Sequence, residues 1–216
     1  MKNRNLLICI IMIFISLLTI SCGMNRMKTS IVGNIIQFGG SDWQILDATG
    51  DRALIISVDI TKRMPYNQTL ANMTWYDSEI RRYLNRDYFN TFNVEDRARI
   101  IETVINNENN QWYGTPGGDN TSDHIFLLSI AEVVRYYGNS GRLANRPSWQ
   151  MQIDDQFNEN RQAQFTNRFM GWWLRSPGFD GHSAAIVNSN GNLAMSGIMV
   201  NATDVGVRPA MWVVLN

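Results

Sequence analysis

The stretch GWWLRSPG at 171–178 constrains the fold more than any other part of this chain. Side chains alternate between the two faces of a strand, so Trp172 and Leu174 share one face and Trp173 and Arg175 the other. Pro177 and Gly178 are expected to stop the strand, because proline donates nothing to a ladder and glycine tolerates turn geometry. The run GVRPAMWV at 206–213 is its expected partner. There Val205, Val207, Pro209, Met211 and Val213 would share one face, and Arg208, Ala210 and Trp212 the other. Pro209 argues for a strand edge or a bulge. The tryptophans read as core filling. Arg175 and Arg208 read as half-buried guanidiniums that must find carbonyl or carboxylate acceptors.

The first 22 residues carry an address. Lys2 and Arg4 precede an apolar run at 6–18 and a TISC boundary ending at Cys22. A basic start, a short apolar run and small residues before a boundary form a secretory signal. The run is shorter than the ~20 residues of a membrane-spanning helix. Cys22 at the cleavage point is similar to the acylated cysteine of bacterial lipoprotein signals, with Leu18 and Ser21 fitting the lipobox and Thr19 and Ile20 departing from it. The expected organisation is a signal peptide at 1–21, a tether at 22–30 and one domain at 31–216. Loss of Lys2 and Arg4 leaves 17 basic against 19 acidic residues. That slightly acidic balance, with no basic patch, excludes a nucleic-acid partner as the expectation. Cys9 and Cys22 are the only cysteines, so the mature domain is expected to fold without a disulfide.

Along the domain, residues 31–57 read as a β-meander with strands at 32–38, 43–47 and 53–58 and turns at Gly39-Gly40 and 49–51. Residues 74–92 read as one helix, with Thr74 and Asp77 approximating a capping box and Tyr76, Ile80, Tyr83 and Leu84 forming its apolar stripe. Arg81, Arg82, Asn85 and Arg86 fall away from that stripe, and the arginines read as a solvated face. Asn93 caps a short helix to 97, and 100–105 reads as a strand. Residues 106–123 read as a polar loop. Its Asp119, Asn120, Ser122 and Asp123 do not follow the ligand spacing of an EF-hand calcium loop. Residues 125–128 read as a buried strand, and 129–137 as a helix with a Ser129/Glu132 capping box, ended by Gly138. Residues 139–167 are rich in Asn, Gln and Arg with scattered aromatics. The final third reads as strands at 184–187 and 193–195 around an Asn190-Gly191 turn, then the closing strand.

The motifs WWLRSPG, the apolar strand and Asn-Gly turn after it, and GVRPA-W resemble the bacterial domain-of-unknown-function family DUF6273. Looser matches upstream are IIQFGGSDWQILD at 35–47, TWYDSEIRRYLN at 74–85 and IFLLSIAEV at 125–133. The closing layout is more distantly similar to C-type-lectin-like domains, including the formylglycine-generating, sulfatase-modifying group. These resemblances imply an α+β domain of C-type-lectin-like form, with antiparallel strands and two or more helices.

The chemistry-bearing motifs are sparse. Gly181-His182-Ser183 is similar to a nucleophile elbow, but a loop precedes it, a strand-like AAIV follows, and no histidine lies beyond His182. The only other histidine is His124. No P-loop, dinucleotide fingerprint or zinc spacing occurs. The active-site cysteines of the formylglycine-generating enzymes are absent from the mature chain. No catalytic, cofactor or metal residues are therefore assigned. The expected function is a lipid-anchored module of the bacterial cell envelope that recognises a protein or glycan. An enzyme of unrecognised chemistry or a structural envelope component are the other readings. The contact surface is expected in 139–167, with Arg146 and Trp149 as first choices because Arg and Trp are favoured at hot spots. The other reading of Trp149 is an anchor that packs that loop onto the domain, with the rest of the segment solvated.

Overall fold

Apolar alternation and two glycine turns make the first sheet. Strands β1 (Ile35–Phe38), β2 (Ser41–Thr49) and β3 (Arg52–Ser57) pair antiparallel in sequence order. The Gly39-Gly40 turn needs φ of +56° and +77°, which L side chains rarely adopt. The ring of Phe92 also occupies the space a Cβ on Gly39 would fill. The computed structural model describes residues 31–215. The apolar leader, Cys22 and the stretch at 22–30 lie outside the described residues.

After β4 (Lys62–Arg63), the helix expected at 74–92 is three shorter pieces. Helix α1 (Glu79–Arg82) is capped by Ser78, not Thr74, through the Arg81 N–H. A π-helix follows at Tyr83–Tyr88 and a 3-10 turn at Phe89–Thr91. Within the wider turn Asn85 accepts from the backbone of His124 and Ile125 and donates to the Ile125 carbonyl. Ile80 and Leu84 are fully buried, whereas Tyr76 is exposed and leaves the expected stripe. Arg81 is also reassigned. Its Nε lies 2.7 Å from the carboxylate of Asp123, which is wholly buried. That carboxylate also accepts from Trp75 Nε1 and Thr121 Oγ1, so a buried charge has the partners it requires.

Helix α2 (Val94–Arg99), capped by Asn93, leads into β5 (Ile100–Ile101). The single strand expected at 100–105 is divided there, because β6 (Thr103–Ile105) leaves to pair with β7 (Thr121–Asp123). The loop expected to run through 123 thus ends in a strand. Residues 125–128 are fully buried, yet they carry only one bridge, Phe126 to Ala210. Helix α3 (Ile130–Tyr137) has the expected capping box, and Gly138 follows it. Gly138 sits at φ +129°, with the Phe157 ring where a Cβ would be.

The remaining elements are β8 (Gln152–Ile153), α4 (Asn158–Arg161), β9 (Gln164–Phe165), β10 (Arg168–Phe169), β11 (Trp172–Pro177), β12 (Ser183–Val187), β13 (Leu193–Met199), β14 (Gly206–Val207) and β15 (Ala210–Val214). The two main sheets run β1-β2-β3-β15-β5 and β4-β14-β11-β12-β13-β8. All the pairings in them are antiparallel except β11 with β14. Pro177 is the last residue of its strand, as expected, and pairs there with Ala184 after a register shift. Pro209 does more than make a bulge: it divides the C-terminal run, sending β14 into one sheet and β15 into the other. The face assignment across 205–213 therefore fails, since it assumed one strand. The architecture is mixed α/β, dominated by antiparallel sheets, with four α-helices among the described residues. None of these helices is long and apolar enough to cross a membrane.

Every residue of β11 is buried. It lies inside its sheet, with α3 and the 125–128 segment on one side. Trp172 donates to the Arg161 carbonyl at 3.0 Å and Trp173 to the Met64 carbonyl at 2.9 Å. The Tyr66 ring meets Trp173 edge-on at 5.6 Å. Indoles so placed bury area without orphaning their N–H groups.

Candidate functional site

Two places gather polar and aromatic side chains. The first is a cleft of about 320 Å³ between β6 and the start of α3. Asn106, Glu108, Phe126, Ser129, Glu132 and Arg175 line it. Arg175 forms a two-pronged ion pair with Glu132, with Nη2 at 2.9 Å from Oε1 and Nη1 on Oε2. Nη1 also donates to the Leu127 carbonyl at 2.7 Å. Glu132 meanwhile accepts the Ser129 N–H to close the capping box. The carboxylate and guanidinium are thus committed to each other and to the backbone. No histidine lines the cleft.

Arg208 has a parallel role. Its Nε donates to the Ser57 carbonyl at 3.0 Å, and its guanidinium lies 5.1 Å from the Trp172 ring and 5.5 Å from the Tyr137 ring. It joins β15's approach to the indole of β11. Ser183, set aside above as a nucleophile, exchanges hydrogen bonds with Asp180 and closes a turn. Among the described residues no group of three or more His, Cys, Asp or Glu side chains is placed to hold a metal ion.

The second place is an aromatic ledge built from the loop at 106–120 and the polar segment at 139–167. Asn110 organises it and is itself buried. Its Oδ1 accepts the N–H groups of Trp112 and Tyr113 at 2.9 and 3.2 Å. Its Nδ2 donates to the carbonyls of Pro177 and Met195, both at 2.8 Å. One amide thereby ties the Trp-Tyr pair to the end of β11 and to β13. The Tyr113 ring meets Phe179 edge-on at 5.1 Å. Arg146 stacks against Tyr113 at 4.6 Å and Trp112 at 5.1 Å. Its guanidinium donates to the carbonyls of Trp112 and Gln150 and to the Tyr113 hydroxyl. Three residues on, Trp149 is 98% exposed with φ +66°. It does not pack the loop. Met151, also exposed, accepts from the backbone of Met195 and Ser196, and Ser196 accepts from Phe179. Trp112, Tyr113, Arg146 and Phe179 thus form one neighbourhood, with Met151 joined to it through the backbone of β13 and Trp149 two residues from Met151 in the chain.

Asn110 was not legible as a site residue. It stands in a run of asparagines within a loop, and only an Asx turn before the Trp-Tyr pair could have signalled it.

The polar segment is pinned from beneath. Arg161 and Asp155 form an ion pair at 3.0 Å with both side chains almost wholly buried. Asp155 also accepts from the Ser140 hydroxyl and the Phe157 N–H. Burial pushes the Asp155 carboxyl up, but Ser140, Arg161 and Phe157 together bring it below its usual range. A carboxyl lowered by folding contributes stability above its unfolded value, and that contribution is lost as pH falls through the lower, folded value. Asp155→Asn should therefore cost about 1.5–3 kcal/mol at pH 7, as for hydrogen bonds to charged groups. The difference from the natural protein should shrink as pH drops below about 4, where the carboxyl itself is protonated. Denaturant midpoints at pH 7 and pH 3 check this; a difference that is constant with pH would contradict it.

The molecule so described is a mixed α/β protein, mainly of antiparallel sheets, with an exposed aromatic ledge at one edge. Residues 50–215 match the model of the family described as Domain of unknown function (DUF6273), and the chain belongs to that family. No curated protein and no solved structure matches it.

Proposed function

We propose that this chain is a lipoprotein of the bacterial cell envelope, held to a membrane through acylated Cys22, whose domain recognises a ligand with the aromatic ledge. The finer fold reading belongs with it: a C-type-lectin-like arrangement in which loops beside the β11–β13 sheet carry the contact surface. The observation that carries the recognition reading is Trp149, fully displayed at φ +66° on the loop whose Arg146 stacks on Trp112 and Tyr113. A non-glycine residue held at positive φ is a costly backbone state of the kind that clusters at functional sites. An enzyme on this scaffold has less support, because the charged groups of the cleft are committed to one another.

Two experiments test the two halves. Cys22→Ser should abolish acyl labelling and either release the protein from the membrane fraction or leave it unprocessed. Absence of acyl incorporation into the natural protein would remove the anchor from the reading. For recognition, a photo-crosslinking phenylalanine at position 149 should give adducts in intact cells. The same group at Val94, exposed on α2, should give none. Equal labelling at both positions, or none at either, would sink the ledge as the contact surface.

A further inference from the structure

We infer that the cleft between β6 and α3 is a second recognition site, separate from the ledge, that takes an extended peptide as a strand added to β6. The phase of the β6–β7 ladder defines it. In an antiparallel ladder, pairs that exchange both backbone hydrogen bonds alternate with pairs that exchange none, whose N–H and C=O turn outward. Thr103 faces Asp123, Val104 faces Ser122 and Ile105 faces Thr121. The Ser122 carbonyl turns away from β6 and accepts from Arg81 at 3.5 Å. Val104 and Ser122 are therefore the pair without mutual bonds, and the Val104 N–H and C=O point away from β7. β6 and β7 form a two-stranded sheet, so among the described residues no third strand meets those groups. The next outward residue is Asn106. Its carbonyl accepts from Arg175 Nη2 at 3.4 Å, and Arg175 lines the cleft. Asn107 turns back again, its N–H donating to Asn120. The free edge of β6 thus faces the cleft.

Shape and hydrogen bonding together select the occupant. The cleft continues past Thr103, Val104 and Trp212 into a second hollow of about 430 Å³ that reaches Thr49 and Arg52. The two make a trough alongside β6. Small ligands are held in pockets that enclose most of their surface, whereas an extended chain fills a trough. The edge offers the Val104 N–H and C=O and the Asn106 N–H, which have no backbone partner. Groups spaced two residues apart are what a peptide in strand conformation meets in register, because its own groups on one edge repeat with the same period. The start of α3 stands across the cleft, where Ser129, Ala131 and Glu132 line the wall. A single chain enters such a trough; the sheet edge of a folded second copy, with its own flanking layers, is held off by α3. The charged side chains of the cleft are paired, Arg175 with Glu132 and Arg135 with Asp47. That leaves the backbone of β6 as the main contact, with half-buried Trp212, which lines both hollows, as an apolar seat for one peptide side chain.

Two measurements on the full chain in detergent test this. Amide hydrogen exchange followed by NMR should find Val104 exchanging freely and Thr103 and Ile105 protected, since only the latter two bond to β7. A protected Val104 amide in the free protein would overturn the inference. Random linear dodecapeptides displayed on phage and panned on the immobilised chain should yield binders. The best of them, resynthesised, should protect the Val104 amide. Val104→Pro should weaken it by about tenfold or more, because the outward donor is lost and a peptide carbonyl is left unpaired. That variant should melt near the natural protein: the ladder loses no bond, the Val104 side chain is 74% exposed, and an edge whose N–H faces outward tolerates proline. Val104→Thr keeps the donor and should bind within about threefold of the natural protein. N-methylation of alternate peptide amides leaves the protein untouched, and one phase should weaken binding about tenfold more than the other. It decides the matter if Val104→Pro does not fold. No enriched peptide, undiminished binding by a folded Val104→Pro, or equal effects of the two methylation phases would each overturn the inference. A dimer in sedimentation that Val104→Pro abolishes would also overturn it, putting a second copy on the edge of β6.

Discussion

Trp172→Ala is expected to destabilise the protein by about 3–5 kcal/mol, the range for truncating a buried aromatic. Trp172 is fully buried on β11, pairs with Val187 on one side and Gly206 on the other, and donates to the Arg161 carbonyl. Its loss would open a cavity between α4, α3 and the C-terminal run. It would also take away the ring against which Arg208 stacks. Denaturant unfolding followed by circular dichroism measures the effect. A midpoint that does not move would show that β11 is not central to the core. Trp173→Ala should fall in the same range, since that ring is equally buried and bonded to the Met64 carbonyl.

Glu132→Ala is expected to cost a similar amount by another route. Removing one member of a buried ion pair strands the other, at about 3–5 kcal/mol. Here the stranded group is Arg175, 5% exposed and deep under the cleft. The same change removes half of the capping box on α3, although the Ser129 hydroxyl still caps the Glu132 backbone. Arg175→Met should be milder than Glu132→Ala, because a carboxylate left at the 26%-exposed Glu132 position can reach water. Unfolding midpoints of the two variants decide it; equal losses would mean that the guanidinium's own bonds to Leu127 and Asn106 dominate.

Much of the fold was readable from local rules. The meander at the start, the Ser129/Glu132 capping box, the stop at Gly138 and the Asn190-Gly191 hairpin rest on interactions between residues close in the chain. These depend on backbone preference and side-chain reach, which a sequence displays directly. The helix expected at 74–92 failed for the same reason in reverse. Thr74 and Ser78 both fit a cap locally, and what selects Ser78 is remote: Arg81 is drawn to buried Asp123, and Asn85 grips the backbone at 124–125. Periodicity alone could not place a π-helix there.

The sequence by itself determined that Trp172, Trp173 and the surrounding apolar run form a strand and that Arg175 and Arg208 need internal acceptors. It also marked 139–167 as the segment unlike the rest. Only the tertiary structure decided which acceptors those arginines take, because Glu132 and Ser57 lie 43 and 151 residues away in the chain. It decided too that Pro209 divides one apparent strand between two sheets, since a proline's missing donor says nothing about which neighbours lie on either side. Trp149 was the most evenly balanced residue. Burial or display of an aromatic on a polar loop depends on whether a second surface is near enough to cover it. Arg161 and Asp155 pin the later part of that loop, and no surface of the domain covers Trp149.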